Sequence, residues 1–131
     1  MPKKHKHLDA KGKGEFSYDY RNDILLFKTK NRDYQKSIDF DNFTLDIDTK
    51  GFITGIRIFD ASKIFGLSKM ALNNIKQFEF NTRAEEKVIT IQLKFMSVLR
   101  NKPQIIGGEN FVREAFRSKI EDSELICTAA A

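Results

Sequence analysis

The sequence contains no tryptophan, two prolines, one cysteine and two histidines. A single thiol, Cys127, excludes an internal disulfide and fits a reducing compartment. Both histidines, His5 and His7, fall in a lysine-rich opening segment. The rest of the chain therefore has no imidazole, which excludes a Ser-His-Asp or Cys-His arrangement there and most catalytic zinc sites. No stretch is apolar for the roughly eighteen residues that a spanning helix needs. The basic start also lacks the apolar centre of a secretory signal. These absences lead us to expect a cytoplasmic protein with no membrane partner.

What the chain does have is phenylalanine, with 12 copies in 131 residues. Phenylalanine suits pleated, half-buried surfaces, so its abundance favours β-structure. The length suits one domain with a modest core. The net charge of +5 is unevenly placed: residues 1–14 hold five lysines against one aspartate, which leaves the remainder close to neutral. We read residues 1–14 as a flexible basic tail, because they have too little apolar bulk to offset the entropy of ordering. Residues 15–131 are read as a single domain.

Along that domain Phe16, Tyr18 and Tyr20 alternate with polar residues, which is strand spacing. Arg21-Asn22-Asp23 breaks the pattern and Ile24–Phe27 resumes it. Residues 28–36 are polar and read as loop. Phe43, Leu45 and Ile47 alternate with Thr44, Asp46 and Asp48, and a turn ending in Gly51 returns the chain through Ile53–Phe59. Asp60, Ser62 and Ser68 are suited to capping short helices near 61–74. Phe78 and Phe80 suggest a strand, residues 82–87 a charged turn, and Ile89–Phe95 a long strand. Pro103 means that any strand near 104–106 is an edge or begins there, and Gly107-Gly108 reads as a hinge or turn. Asn110 then caps an expected helix near 110–120 with Val112, Phe116 and Ile120 on one face. Its ends carry Glu109 and Glu114, then Arg117 and Lys119, as the helix dipole prefers. The final alanines are expected to fray. The expected fold is α+β: a mostly antiparallel sheet built from hairpins with short helices. The helices would cover part of one sheet face, and a second subunit could cover the rest, so a homodimer is expected.

The segments F-S-Y-D-Y-R-N-D-I-L at 16–25 and L-D-I-D-T-K-G-F-I-T-G-I-R-I-F-D-A-S at 45–62 resemble the YuzE-like family of small prokaryotic domains, which has no assigned function. The resemblance covers residues 16–62 and implies a small β-rich domain. Some such domains look like partners in small toxin–antitoxin-like pairs. Arg57 stands where glutamate is common, so a role for that acid does not carry over. On this resemblance residues 15–67 form one half and 68–131 a C-terminal extension.

Candidate chemistry is sparse. Asp46 and Asp48 share a strand face about 7 Å apart by strand rise, a spacing that could hold a hard divalent cation or serve as acid and base. The bland alternative is a solvated outer face, with Asp39 and Asp41 nearby. His5 and His7 could bind a transition metal only weakly, and no cofactor is expected. Cys127 has no evident base and reads as a buried thiol. Gly107-Gly108 lacks the spacing and following residues of a phosphate-binding turn. Lys3, Lys4, Lys6, Lys11 and Lys13 could anchor nucleic acid through phosphates, with Arg57 and Lys94 as further cations on the sheet. Phe16, Tyr18, Tyr20, Arg57 and Phe59 are the candidate interface residues. The favoured reading is a non-enzymatic interaction module that binds a protein partner or itself. The alternatives are a nucleic-acid-binding protein anchored by the tail, and a metal-dependent enzyme using Asp46 and Asp48.

Overall fold

A computed structural model describes residues 14–29, 34–99, 105–114 and 120–130. The elements run β1 (Gly14–Asp19), β2 (Ile24–Thr29), β3 (Tyr34–Asp39), β4 (Phe43–Asp48), β5 (Ile53–Phe59), α1 (Ala61–Phe65), α2 (Lys69–Leu72), β6 (Ile75–Glu85), β7 (Val88–Ser97), β8 (Ile105–Glu114) and β9 (Ser123–Ala130). They form a five-stranded sheet in the order β1-β2-β5-β4-β3 and a four-stranded sheet in the order β8-β7-β6-β9. Every pairing is antiparallel. In the second sheet the last strand returns beside the first, which is Greek-key order. The return path touches the first sheet where Glu121 N–H bonds to Gly51 C=O at 2.9 Å.

The alternation read from the sequence becomes one shared core. Leu25, Phe27, Phe43, Leu45, Ile56 and Ile58 of the first sheet face Phe78, Phe80, Ile89, Ile91, Leu93 and Phe95 of the second, all buried. The sheets interlock through aromatic rings: Phe27 lies 4.7 Å from Phe78, and Phe43 lies 4.7 Å from Phe111, centroid to centroid. Such offset contacts add to the area each ring buries. The sandwich is closed on one side, where β1 runs against β9. Gly14 permits this approach, since a Cβ there would overlap Cys127 Sγ. On the other side β4 and β8 meet through the Phe43–Phe111 pair.

Several expectations are corrected. No helix occupies 110–114; this stretch is part of β8, and residues 115–119 lie outside the described residues. The i, i+4 spacing of apolar residues was overridden because β7 offered a long unpaired edge, and backbone pairing there buries Phe111 while leaving Val112 outside. The fold is thus mostly antiparallel β with two short helices near 61–74, and is α+β only loosely. Gly107 and Gly108 are strand residues rather than a turn; Gly107 packs against Phe95 and Leu67 with no room for a Cβ. The polar stretch read as loop contains the end of β2 and the start of β3. The charged turn shrinks to Glu86 and Lys87, whose φ values of 50° and 68° are those of a tight primed hairpin turn. The carboxyl-terminal residues pair with β6 up to Ala130. Finally, the apolar face of each sheet is covered by the other sheet, so an exposed face no longer supplies the reason to expect a dimer.

Candidate interaction surface

The most polar node of the first sheet is structural. Asp23 has a left-handed φ of 57° and ends the β1–β2 turn. Its carboxylate accepts from Tyr18 Oη at 2.7 Å, Ser62 Oγ at 2.6 Å and Ser62 N–H at 3.0 Å. It therefore caps α1 from across the sheet. Asp60, expected to be that cap, makes no side-chain capping bond, whereas Ser68 does cap α2 by accepting from Ala71 N–H. Burial pushes the Asp23 acid up, but the bonds from Ser62 and Tyr18, with Lys69 nearby, outweigh it and hold the carboxyl below its usual range. Burial, and then that same carboxylate, raise the Tyr18 phenol well above its ordinary value.

Of the other candidates from the sequence, Asp46 meets Arg57 and Tyr18 meets Tyr20, but they do not converge on one site. Asp46 Oδ1 accepts from Arg57 Nη2 at 2.8 Å and from Ser37 Oγ at 3.1 Å. Asp48 instead turns into its own hairpin, where Oδ1 accepts from the N–H groups of Lys50 and Phe52 at 2.9 and 3.0 Å. The two carboxylates thus serve different partners, and the described residues contain no cluster of three or more metal-ligating side chains. Phe16 packs 5.0 Å from Phe78 within the core, and Tyr18 is held by Asp23. Tyr20 is exposed beneath Lys69, whose Nζ lies 5.7 Å from the ring. Arg57 and Phe59 lie on the opposite, outer side of the first sheet, where they pair in register with Leu26 and Ile24. Cys127 is buried, and burial pushes its thiol up to about 11. The tail residues Lys3, Lys4, His5, Lys6, His7, Lys11 and Lys13 lie outside the described residues. Lys94 is on the outer face of the second sheet, opposite Glu79.

That outer face carries the two most exposed of the large apolar side chains among the described residues. On β7 the buried residues alternate with outward Val88, Thr90, Gln92, Lys94 and Met96. On the neighbouring edge strand β8, Ile106 is 74% exposed and Val112 60% exposed. In register these stand opposite Met96 and Thr90, with Val88 opposite Glu114. A shallow depression farther across the sheet is lined by Asn81, Arg83, Gln92, Glu124 and Ile126. Asn81 Oδ1 is buried there with no hydrogen-bond partner among the described residues. At the edge itself, Asn110 N–H donates to Glu109 Oε1 at 3.1 Å, and Arg113 Nη1 donates to Val112 C=O at 2.9 Å. The Arg113 guanidinium also lies 5.4 Å from the Phe43 ring and 5.6 Å from that of Phe111, covering the open side of the sandwich. Glu109 and Arg113 were read in the sequence as parts of a helix or not at all. Pro103 points to an edge strand near 104–106, but no local pattern extends that strand through Glu109 and Arg113 to Glu114.

Among known proteins, a family described as "Protein of unknown function (DUF2283)" matches residues 15–62. This span is nearly the first sheet plus the start of α1. A protein of Methanosarcina mazei named "Putative hypoxanthine phosphoribosyltransferase" is 40% identical over 88 residues, covering 67% of this chain and 72% of its own. "Uncharacterized protein MJ0789" of Methanocaldococcus jannaschii is 36% identical over 115 residues, 87% of this chain and 97% of its own. That alignment must run well past Ser62 into the second sheet. No solved structure matches the chain significantly. The chain belongs to one family with this Methanocaldococcus jannaschii protein, and its residues 15–62 are a segment of the DUF2283 type, of unknown function. No helix among the described residues is long and apolar enough to cross a membrane.

Proposed function

We propose that this protein is a non-enzymatic interaction module that contacts a protein partner, or a second copy of itself, through the β8 side of its second sheet. One observation carries the reading: Ile106 and Val112 stand 74% and 60% exposed on an edge strand, beside Val88. Burying one such side chain contributes about 1.5–3 kcal/mol. The polar groups around them, Asn110, Glu114 and Lys94, suit the rim of an interface. Elsewhere the carboxylates that could do chemistry are engaged in holding turns, a helix start and an ion pair.

Residues 16–62 form a YuzE-like domain in this reading, which their overlap with the matched segment supports. The activity in the name of the Methanosarcina mazei relative belongs to that protein. Among the described residues no glycine-rich turn leads from a parallel strand into a helix, the arrangement that cradles a phosphate, and Gly107-Gly108 lies inside β8.

The test is the native size of the tagged full chain in nuclease-treated host extract, compared with the variant Ile106→Glu/Val112→Glu. The expected result is a wild-type species well above the 15.2 kDa of one chain and a smaller species for the variant. A wild type that runs at the size of one chain, or a large species unmoved by the substitutions, overturns the reading.

A further inference from the structure

We infer that two copies of this chain pair β8 against β8, antiparallel, about a two-fold axis at Phe111. The inference rests on the reading of the β8 side as an interaction surface and names its occupant. Among the described residues β8 pairs only with β7. In an antiparallel ladder, alternate residues turn both their N–H and C=O to the same side. Asn110 and Val112, two apart, turn theirs to the open edge. Each is held there by a charged neighbour: Glu109 takes the Asn110 N–H and Arg113 takes the Val112 C=O. An edge held by its own side chains is blunted against indiscriminate pairing.

The same four residues are self-complementary. With the axis at Phe111, Asn110 stands opposite Val112 of the second copy, and the reverse. The Asn110 N–H then donates to the Val112 C=O across the axis, which is the pair of groups that Glu109 and Arg113 had occupied. The released side chains also face each other, because Glu109 stands opposite Arg113 of the second copy in a close, non-hydrogen-bonded pair. Each charge leaves a backbone dipole and gains an opposite charge, twice over by symmetry. Other registers lack this. An axis at Glu109 sets Glu109 against Glu109, and like charges directly opposite destabilise a sheet. An axis at Asn110 sets Glu109 against Phe111 and Arg113 against Gly107. Charge therefore selects the register, and the product is a continuous eight-stranded sheet across the axis.

Sedimentation of the purified full chain from micromolar to sub-millimolar concentration tests this with two variants, Glu109→Arg and Arg113→Glu. The wild type is expected to reach twice the 15.2 kDa chain mass. Each variant alone places like charges at both pairs and should self-associate at least about tenfold more weakly. An equimolar mixture of the two variants restores both pairs and should dimerise like the wild type. Circular dichroism melts confirm that each variant folds. Should Arg113→Glu not fold, Glu109→Arg with Arg113→Gln serves as the partner in the mixing arm, and Glu109→Arg alone is still expected to be weakened. A wild type that stays monomeric throughout overturns the inference while leaving the extract experiment to decide on a different protein partner. A dimer indifferent to both variants, or a mixture that fails to recover, overturns this register.

Discussion

Ser62 donates both its hydroxyl and its backbone N–H to the carboxylate of Asp23, 39 residues earlier in the chain, at 2.6 and 3.0 Å. Ala61 N–H reinforces the link by bonding to the Asp23 carbonyl at 3.0 Å. The first hairpin and the start of the first helix are thus tied together, and both Asp23 and Ser62 lie inside the matched segment 15–62.

Replacing Asp23 with Asn keeps a residue that tolerates the left-handed conformation and removes the charge. The expected loss is about 1–3 kcal/mol at neutral pH, from charge-assisted bonds made weaker. The sign with pH follows from the depressed acid: its stabilisation is present above the unfolded carboxylate pKa and is lost as pH falls through the lower folded value. Urea melts of wild type and Asp23→Asn should therefore converge on acidification. A gap unchanged by pH would show that the charge contributes nothing.

Phe27 touches Phe16, Phe78 and Phe95 at centroid distances of 6.5, 4.7 and 6.4 Å, so it joins the two sheets. Phe27→Ala should cost about 3–5 kcal/mol, the range for emptying an aromatic core site. Phe59, 39% exposed on the outer side, should cost far less on the same substitution. Equal losses in denaturant titrations would contradict the sandwich packing.

Cys127 is buried, with its thiol pushed up to about 11. The nucleophilic thiolate is therefore scarce at pH 8, and access is closed. A chromogenic disulfide reagent should react fully in denaturant and negligibly with the folded protein over minutes. Rapid native reaction would mean that the β1–β9 side opens readily.

Asp46 is bonded to Arg57, whose side chain is 38% exposed. Asp46 itself is only 14% exposed and Arg57 also bonds Ser37 Oγ, so Arg57→Ala should cost about 1–2 kcal/mol, between an exposed pair and a buried one. With Asp48 committed to its own turn, isothermal titration of the full chain with Mg²⁺ or Mn²⁺ should give only heat of dilution. A saturable binding curve lost on Asp46→Asn would revive the metal reading.

The strands with clean alternation were legible because a period of two has one physical meaning, a face in and a face out. Phe43–Ile47, Ile56–Phe59 and Ile89–Phe95 are of this kind, and the turn at Gly51, where φ is 88°, was legible from its glycine. The strand at 34–39 was not legible, nor was the continuation to Glu114 of the strand expected near 104–106. Tyr34–Asp39 is polar because one side of an edge strand faces solvent. In Ile105–Glu114, the same residues satisfy a helical spacing about as well as a strand. Asp23 could be read as a turn residue, but its role as a cap depends on a helix that begins 39 residues later.

By itself, then, the sequence determined that the body is rich in β-structure, that imidazole catalysis is absent from it, and that short helices interrupt it near 61–74. Composition and local period carry that information. Only the tertiary structure decided that two sheets cover each other, that β8 runs on to Glu114 along the edge of the second sheet, and that Glu109 and Arg113 guard it. Which strand lies beside which is set by contacts between residues far apart in the chain, and a local pattern does not encode its neighbour.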